Sequence, residues 1–292
     1  RYPKSAAVLV DVAGALSNLA VDDELEVAIG VAGGIQCLID GLSTHASKQT
    51  LVADLWHALA NLSLDVGNKR RITNAKGFRH LLTASIEAHA EAANVIAGIA
   101  ATLRNLASLD DGDAITSIAD VAIIRALVDA LVREPANVII AMAVASALAN
   151  LMVSRPLRQR VAASESLRAT ARAALHAALG EHKDDEALVH ESQRALMHIE
   201  GTDDGATASA STSAASVSAA SAAARATAFA ASASPNGVES NRAAAPAGAK
   251  EAPKSASLNV ASNGSNVVLK PPPWPLAIVA SAAAAAAVSC SS

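Results

Sequence analysis

A nine-residue phrase returns four times along the chain: ALSNLAVDD from Ala15, ALANLSLDV from Ala58, TLRNLASLD from Thr102 and ALANLMVSR from Ala147. Its asparagines, Asn18, Asn61, Asn105 and Asn150, are 43, 44 and 45 residues apart. A looser fifth copy, ALMHIE from Ala195, places His198 where the asparagine would stand. A period of about 40 to 47 residues is the mark of stacked two- or three-helix units, because one such unit cannot bury its apolar face alone and must lean on its neighbours. This recurrence constrains the fold more tightly than any other feature of the sequence.

The stretches between the phrases repeat the same plan with more drift. Each reads as a short helix, a break, a second helix of about ten residues, a polar turn and a longer third helix that ends in the phrase. The break is marked by Gly33-Gly34 and by Gly77, where the chain must reverse in a way a Cβ resists. In the later copies Asp120 and Ser164 stand near that point and can cap the following helix instead. Pro135 and Pro156 fall where helices begin or loops end. The leucine pairs Leu16 and Leu19, Leu59 and Leu62, Leu103 and Leu106, and Leu148 and Leu151 mark the inward stripe of each third helix.

Composition agrees with an all-α reading. The chain is 52% apolar but only 2% aromatic, and much of the apolar share is alanine, the best helix former; the β-branched and aromatic runs of a sheet protein are missing. A net charge of −4 gives no basic footprint for nucleic acid. Cys37 and Cys290, the two cysteines, sit in unlike contexts. They make neither a disulfide framework nor a zinc site, and they fit a reducing compartment.

The period, the three-helix division and the pairing of AGGI with ALxNL resemble the armadillo repeat over residues 5 to 200. The resemblance implies an armadillo-type α-solenoid, a right-handed superhelix of three-helix repeats, over residues 1 to 200. Residues 5 to 20 match only the third helix of a unit, so the array is expected to continue upstream. In armadillo proteins such as the catenins and importin-alpha, the asparagine at this position binds the main chain of an extended partner segment. The resemblance therefore implies the same for Asn18, Asn61, Asn105 and Asn150. The residues themselves permit it: each asparagine precedes the second leucine of its pair, about 100° round the helix from it, and its amide both donates and accepts. The competing reading is that these amides brace neighbouring turns within the array. Importin-alpha carries tryptophans four residues before its asparagines, where this chain has Gly14, His57, Ala101 and Ser146. His57 and its neighbour Trp56 complete the candidate peptide-binding set, although Trp56, one step round the helix, suits packing between repeats better than a slot for basic side chains.

No catalytic constellation is present in the pattern. His57, His80, His89, His176, His182 and His190 lack partners at a metal-ligand spacing, so a surface or inter-repeat role is expected. GVAGG at residues 30 to 34 follows no strand and precedes no Lys-Ser/Thr, which excludes a phosphate loop. Lys69, Arg70 and Arg71 form a basic triplet facing acidic turns at Asp22 to Glu24 and at Asp110 to Asp113; solvated helix ends are the plain reading.

From residue 201 alanine and serine replace leucine, and a disordered Ala/Ser/Pro-rich tail over 201 to 292 is expected because little apolar area offsets the ordering entropy. Within it LKPPPWPL suits polyproline II. The 13-residue apolar run Leu276 to Val288 is shorter than the roughly 20 residues a membrane span needs. The expectation is a non-enzymatic scaffold or adaptor, cytoplasmic with the nucleus also open to it. It binds other proteins through extended segments and uses no cofactor, metal, nucleic acid, membrane or small-molecule substrate. Three rival expectations are a substrate-recruiting module of a larger enzyme such as a ubiquitin ligase, a membrane-associated scaffold of the vacuolar armadillo type and a ciliary or cytoskeletal armadillo protein.

Overall fold

The computed structural model describes residues 5–109 and 112–201, and those residues are helical with no strand. Of the tail expected over 201–292, all but Gly201 lies outside the described residues, Cys290, LKPPPWPL and the Leu276 to Val288 run included, as do Asp110 and Asp111. The helices are α1 (Ala6–Leu19), α2 (Asp23–Val31), α3 (Gly34–Thr44), α4 (Gln49–Leu62), α5 (Val66–Thr73), α6 (Phe78–Ala88), α7 (Ala93–Leu106), α8 (Gly112–Ile118), α9 (Val121–Arg133), α10 (Val138–Leu151), α11 (Arg155–Ala162), α12 (Glu165–Glu181) and α13 (Glu186–Glu200).

Local chemistry sets most of the boundaries. Asp22, Asp65, Asp120, Asn137 and Asp185 each turn a side-chain oxygen onto backbone N–H groups at the start of the next helix, supplying acceptors that a helix N-terminus lacks. Gly33 and Gly77 precede α3 and α6 with φ of 91° and 81°, the left-handed backbone that a Cβ resists. Asp120 does take over the capping task where the glycine is missing, through Ile123 N–H. Ser164 occupies the equivalent position before α12 without a side-chain cap. Pro156 lies in the first turn of α11, where its absent N–H costs nothing. The second helices are longer than ten residues; α12 runs to 17.

Packing follows the period of the sequence. The helices that end in the recurring phrase meet in series: α1 packs on α4, α4 on α7, α7 on α10 and α10 on α13. The second helices do likewise, α3 on α6, α6 on α9 and α9 on α12. The core lies between these two series. Leu59, Leu62, Leu103, Leu106, Leu148 and Leu151 are fully buried in it, and Trp56 and Phe78 are its largest buried side chains, their rings 5.9 Å apart and tilted by 60°. Alanine and glycine let the third helices approach closely. A Cβ on Gly98 of α7 would stand 2.9 Å from the Trp56 Cβ and 3.3 Å from the His57 backbone nitrogen of α4.

Candidate interaction surface

The recurring asparagines sit in the last turn of the third helices, and three of them reach back to the preceding one. Asn61 Nδ2 donates to the Ser17 carbonyl at 3.0 Å and to Ser17 Oγ at 2.9 Å. Asn105 Nδ2 donates to the Ala60 carbonyl at 2.9 Å and to Ser63 Oγ at 3.1 Å. Asn150 Nδ2 donates to the Arg104 carbonyl at 3.0 Å. In every case the accepting carbonyl belongs to the residue immediately before the previous asparagine. These carbonyls lie among the last four of their helices, which have no partner within the helix. The asparagine of one unit thus supplies part of the C-terminal cap of the unit before it.

This geometry bears directly on what the amides can offer a ligand. Asn61 and Asn105 are each 7% exposed, and both N–H groups of each side chain are spent on the preceding unit. Asn105 Oδ1 accepts from Arg104 Nε at 3.1 Å. Asn150 is half-buried; one of its two N–H groups is used, and its Oδ1 accepts from Arg194 Nη2 at 2.9 Å. Asn18 is exposed. His198, standing where the fifth asparagine would be, makes no such rung, and Arg194 ties α13 to Asn150 in its stead. Burial lowers the His198 pKa, and Arg158 and Arg194 lower it further.

A second set of braces runs along the turns between second and third helices. The C-cap residues there are His45, His89, Glu134 and His182. His89 Nε2 lies 2.6 Å from the Ala46 carbonyl and His182 Nε2 lies 3.1 Å from the Pro135 carbonyl. A carbonyl only accepts, so in both the ring nitrogen donates. Where Glu134 breaks the series, the Arg133 guanidinium reaches the Ala90 carbonyl. The sequence placed His89 and His182 among surface or inter-repeat histidines; both are of the second kind. His45 went unremarked, as did Ser17, Ser63, Arg104 and Arg194. The signal that could have found His45 is its spacing of 44 residues from His89.

Trp56 is fully buried, and its Nε1 has no hydrogen-bond partner. His57 is half-buried on α4; burial lowers its pKa, partly offset by a hydrogen bond with the Ala53 backbone. Asp54, one turn earlier, is half-buried with its pKa raised by burial. Arg104 is half-buried on α7; burial lowers its pKa, and the Glu191 carboxylate on α13 acts in the opposite sense. Glu191 in turn holds Arg194 through both oxygens, at 2.9 and 2.7 Å. Asp54, His57, Ala101, Arg104, Asn150, Glu191 and Arg194 are half-buried positions along the third-helix series, and other residues of the same helices, Asn94, Val138, Ile139 and Met197 among them, are exposed.

The basic triplet divides. Arg70 and Arg71 are exposed, but Lys69 is 7% exposed and its Nζ donates to Ser108 Oγ at 2.8 Å. Burial lowers the Lys69 pKa, with Glu26 and Asp65 pulling it back. Glu26, itself 2% exposed, accepts from the Asp65 backbone N–H. This corrects the expectation of a solvated triplet: Lys69 is a buried inter-unit contact. Among the described residues no cluster of His, Cys, Asp and Glu is placed to hold a metal, and no single helix is long and apolar enough to cross a membrane. Comparison with protein-family models, with curated proteins and with solved structures gives no match for this chain.

Proposed function

We propose that the chain is a protein-interaction scaffold. In this reading residues 1 to 200 form an armadillo-type, right-handed α-solenoid that holds an extended segment of another protein along the series of third helices and catalyses nothing itself. The observation that carries it is the accessible strip from Asp54 and His57 on α4, through Ala101 and Arg104 on α7, to Asn150 on α10 and Arg194 on α13. It offers polar groups on four successive third helices.

The roles within the strip differ from a uniform asparagine ladder. Asn61 and Asn105 have no N–H left to give, so they hold units in register and present only carbonyl oxygen to a ligand. Donation to a passing main chain falls to the second N–H of Asn150 and to the Arg104 guanidinium. Both favour carbonyl or carboxylate acceptors, and Arg104 favours an acidic side chain in particular.

The test is selection of linear peptides from a random display library on the full chain, followed by fluorescence anisotropy on the winners. Arg104→Ala is expected to weaken binding by at least about tenfold with the helical circular dichroism unchanged. Failure to select any peptide, or winners indifferent to Arg104→Ala and to His57→Ala, would remove the reading.

A further inference from the structure

We propose that the cavity enclosed by α11, α12 and α13 is a site for a single oxyanion, a phosphate or a carboxylate. It shares no residue with the half-buried strip along the third helices, so the inference stands apart from the scaffold reading.

The cavity has a volume of about 290 Å³, room for an oxyanion with several waters at about 30 Å³ for each water. Met152, Val161 and Ile199 give it an apolar floor, at 1%, 2% and 7% exposure. Its ionisable lining comes from a different helix each time: Arg158 from α11, Arg168 from α12 and His198 from α13. Among the described residues no aspartate or glutamate lines it. Apolar walls with a few convergent cationic groups are what a small-anion site requires.

Both guanidinium groups are held in place by contacts that leave other N–H groups free. Arg158 Nη1 donates to the Met152 and Val153 carbonyls at 2.7 and 2.8 Å, which fixes the guanidinium beside the cavity. Of its five N–H donors, those on Nε and Nη2 have no partner among the described residues. Arg168 Nη2 is tied to Glu165, and its Nε is sealed from solvent without a partner; Nη1 is the nitrogen left to meet a ligand. His198 is half-buried, and burial lowers its pKa, with Arg158 and Arg194 lowering it further. Glu191 answers Arg194 from the same helix, but no carboxylate in the cavity answers the meeting of Arg158 with a protonated His198. An oxyanion between Arg158, Arg168 and His198 does so through charge-assisted hydrogen bonds.

The register of the helices points to where such an anion comes from. The fourth residue past the N-cap of a first helix is Glu26 on α2, Lys69 on α5 and Arg158 on α11. Glu26 accepts from the Asp65 backbone N–H and Lys69 donates to Ser108 Oγ, so each reaches the turn that follows the next third helix. For Arg158 that turn begins at Gly201, which lines the cavity, and the sequence continues to Asp203 and Asp204. A carboxylate of this acidic pair and a free phosphate are two sources of the same chemistry.

Two measurements on the full chain test the site: calorimetric titration with sodium phosphate, against sodium chloride at equal ionic strength, and NMR titration of the His198 imidazole. With a free anion as the source, the parent binds phosphate with a Kd below about 5 mM. Arg168→Gln then weakens binding at least about fivefold, and phosphate moves the His198 pKa up, because a neighbouring negative charge favours the imidazolium. With the chain itself as the source, the parent ignores phosphate. Replacing both aspartates, Asp203→Asn with Asp204→Asn, then moves the His198 pKa down and opens the site to phosphate, again with a loss on Arg168→Gln. An acidic pair held away from the cavity is screened by salt and leaves that pKa unmoved. The Arg168 side chain is one-third exposed and pairs with Glu165, so its replacement retains the fold, which far-ultraviolet circular dichroism checks. Phosphate binding that Arg168→Gln leaves unchanged overturns the inference. A His198 titration that responds neither to phosphate nor to the loss of the two aspartates overturns it as well.

Discussion

Asn61 decides whether the repeated asparagine holds units together or waits for a ligand. Its Nδ2 makes two hydrogen bonds to Ser17, at 3.0 and 2.9 Å, in a side chain only 7% exposed. At about 1 kcal/mol net for each bond, Asn61→Ala should cost about 2 kcal/mol. Asn61→Asp keeps the shape but turns an acceptor toward the Ser17 carbonyl and buries a charge, so its cost should be larger, about 3 to 4 kcal/mol. A side chain that served only a ligand would behave as ordinary surface, within about 0.5 kcal/mol either way. Urea unfolding of the full chain gives the global figure; amide exchange in α1 and α4 gives the local one, which matters because repeat arrays can lose cooperativity between units. A double-mutant cycle with Ser17→Ala should return a coupling of about 0.5 to 1.5 kcal/mol from the shared Oγ contact. If Asn61→Ala sits within about 0.5 kcal/mol of the parent and Asn61→Asp is no worse, the bracing argument fails.

Gly98→Ala should destabilise by about 1 to 2 kcal/mol through the clash with Trp56 and the α4 backbone, whereas Gly180→Ala, whose Cβ meets nothing within 4 Å in α12, should gain up to about 1 kcal/mol of helix propensity; thermal unfolding of both variants checks the contrast. Lys69→Met removes the Ser108 hydrogen bond and the attraction of a half-screened cation to Glu26 and Asp65, and should cost about 1 to 2 kcal/mol in denaturant; a loss too small to measure would place the contact outside the energetics. Because burial holds the folded pKa of His57 below its ordinary 6.5, the unfolded chain binds more protons in that window, and stability should rise with pH up to 6.5 and then level. Asp54 works in the opposite sense: its folded pKa is raised above 3.8, the folded chain binds more protons there, and stability falls as pH rises through that window. His57→Gln and Asp54→Asn should each flatten their own part of the curve, read from denaturation midpoints at successive pH values.

The parts of this arrangement that are local in the chain could be read from the residues alone. The asparagine phrase marked where the third helices end, Gly33 and Gly77 announced the chain reversals, and Asp120 announced a cap. Each of these rests on neighbours within four positions. The destination of the asparagine amide did not follow, because a spacing of 43 to 45 residues fixes that the side chain recurs and leaves open whether it faces the previous helix or a groove. That choice depends on the phase of packed helices. The turn braces were harder still, since one task is performed by His89, then by Arg133, then by His182. Lys69 was misplaced for a related reason: its partners Glu26 and Ser108 are 43 and 39 residues away, and only the folded units bring them beside it.

The bracing asparagines also address a problem that parallel packing creates. Asn61 in the last turn of α4 touches Ser17 in the last turn of α1, and the same holds for each later pair, so the third helices run in the same direction with their C-termini side by side. Their macrodipoles therefore align, and the negative ends, rows of carbonyls without helical partners, stand next to one another. Basic residues in the last turn would relieve this, but α1, α4 and α10 have none. An amide is the alternative: it brings N–H dipoles to the adjacent carbonyls without burying a net charge, and it is short enough to let alanine-lined helices stay close. The last unit departs from this: where His198 stands in place of the asparagine, Arg194 joins the series through the Asn150 side-chain oxygen, and the Met152 and Val153 carbonyls just past α10 accept from the Arg158 guanidinium. The polarity that results, with each unit donating to the one before, gives the series unlike ends and makes every inner rung depend on its immediate predecessor alone.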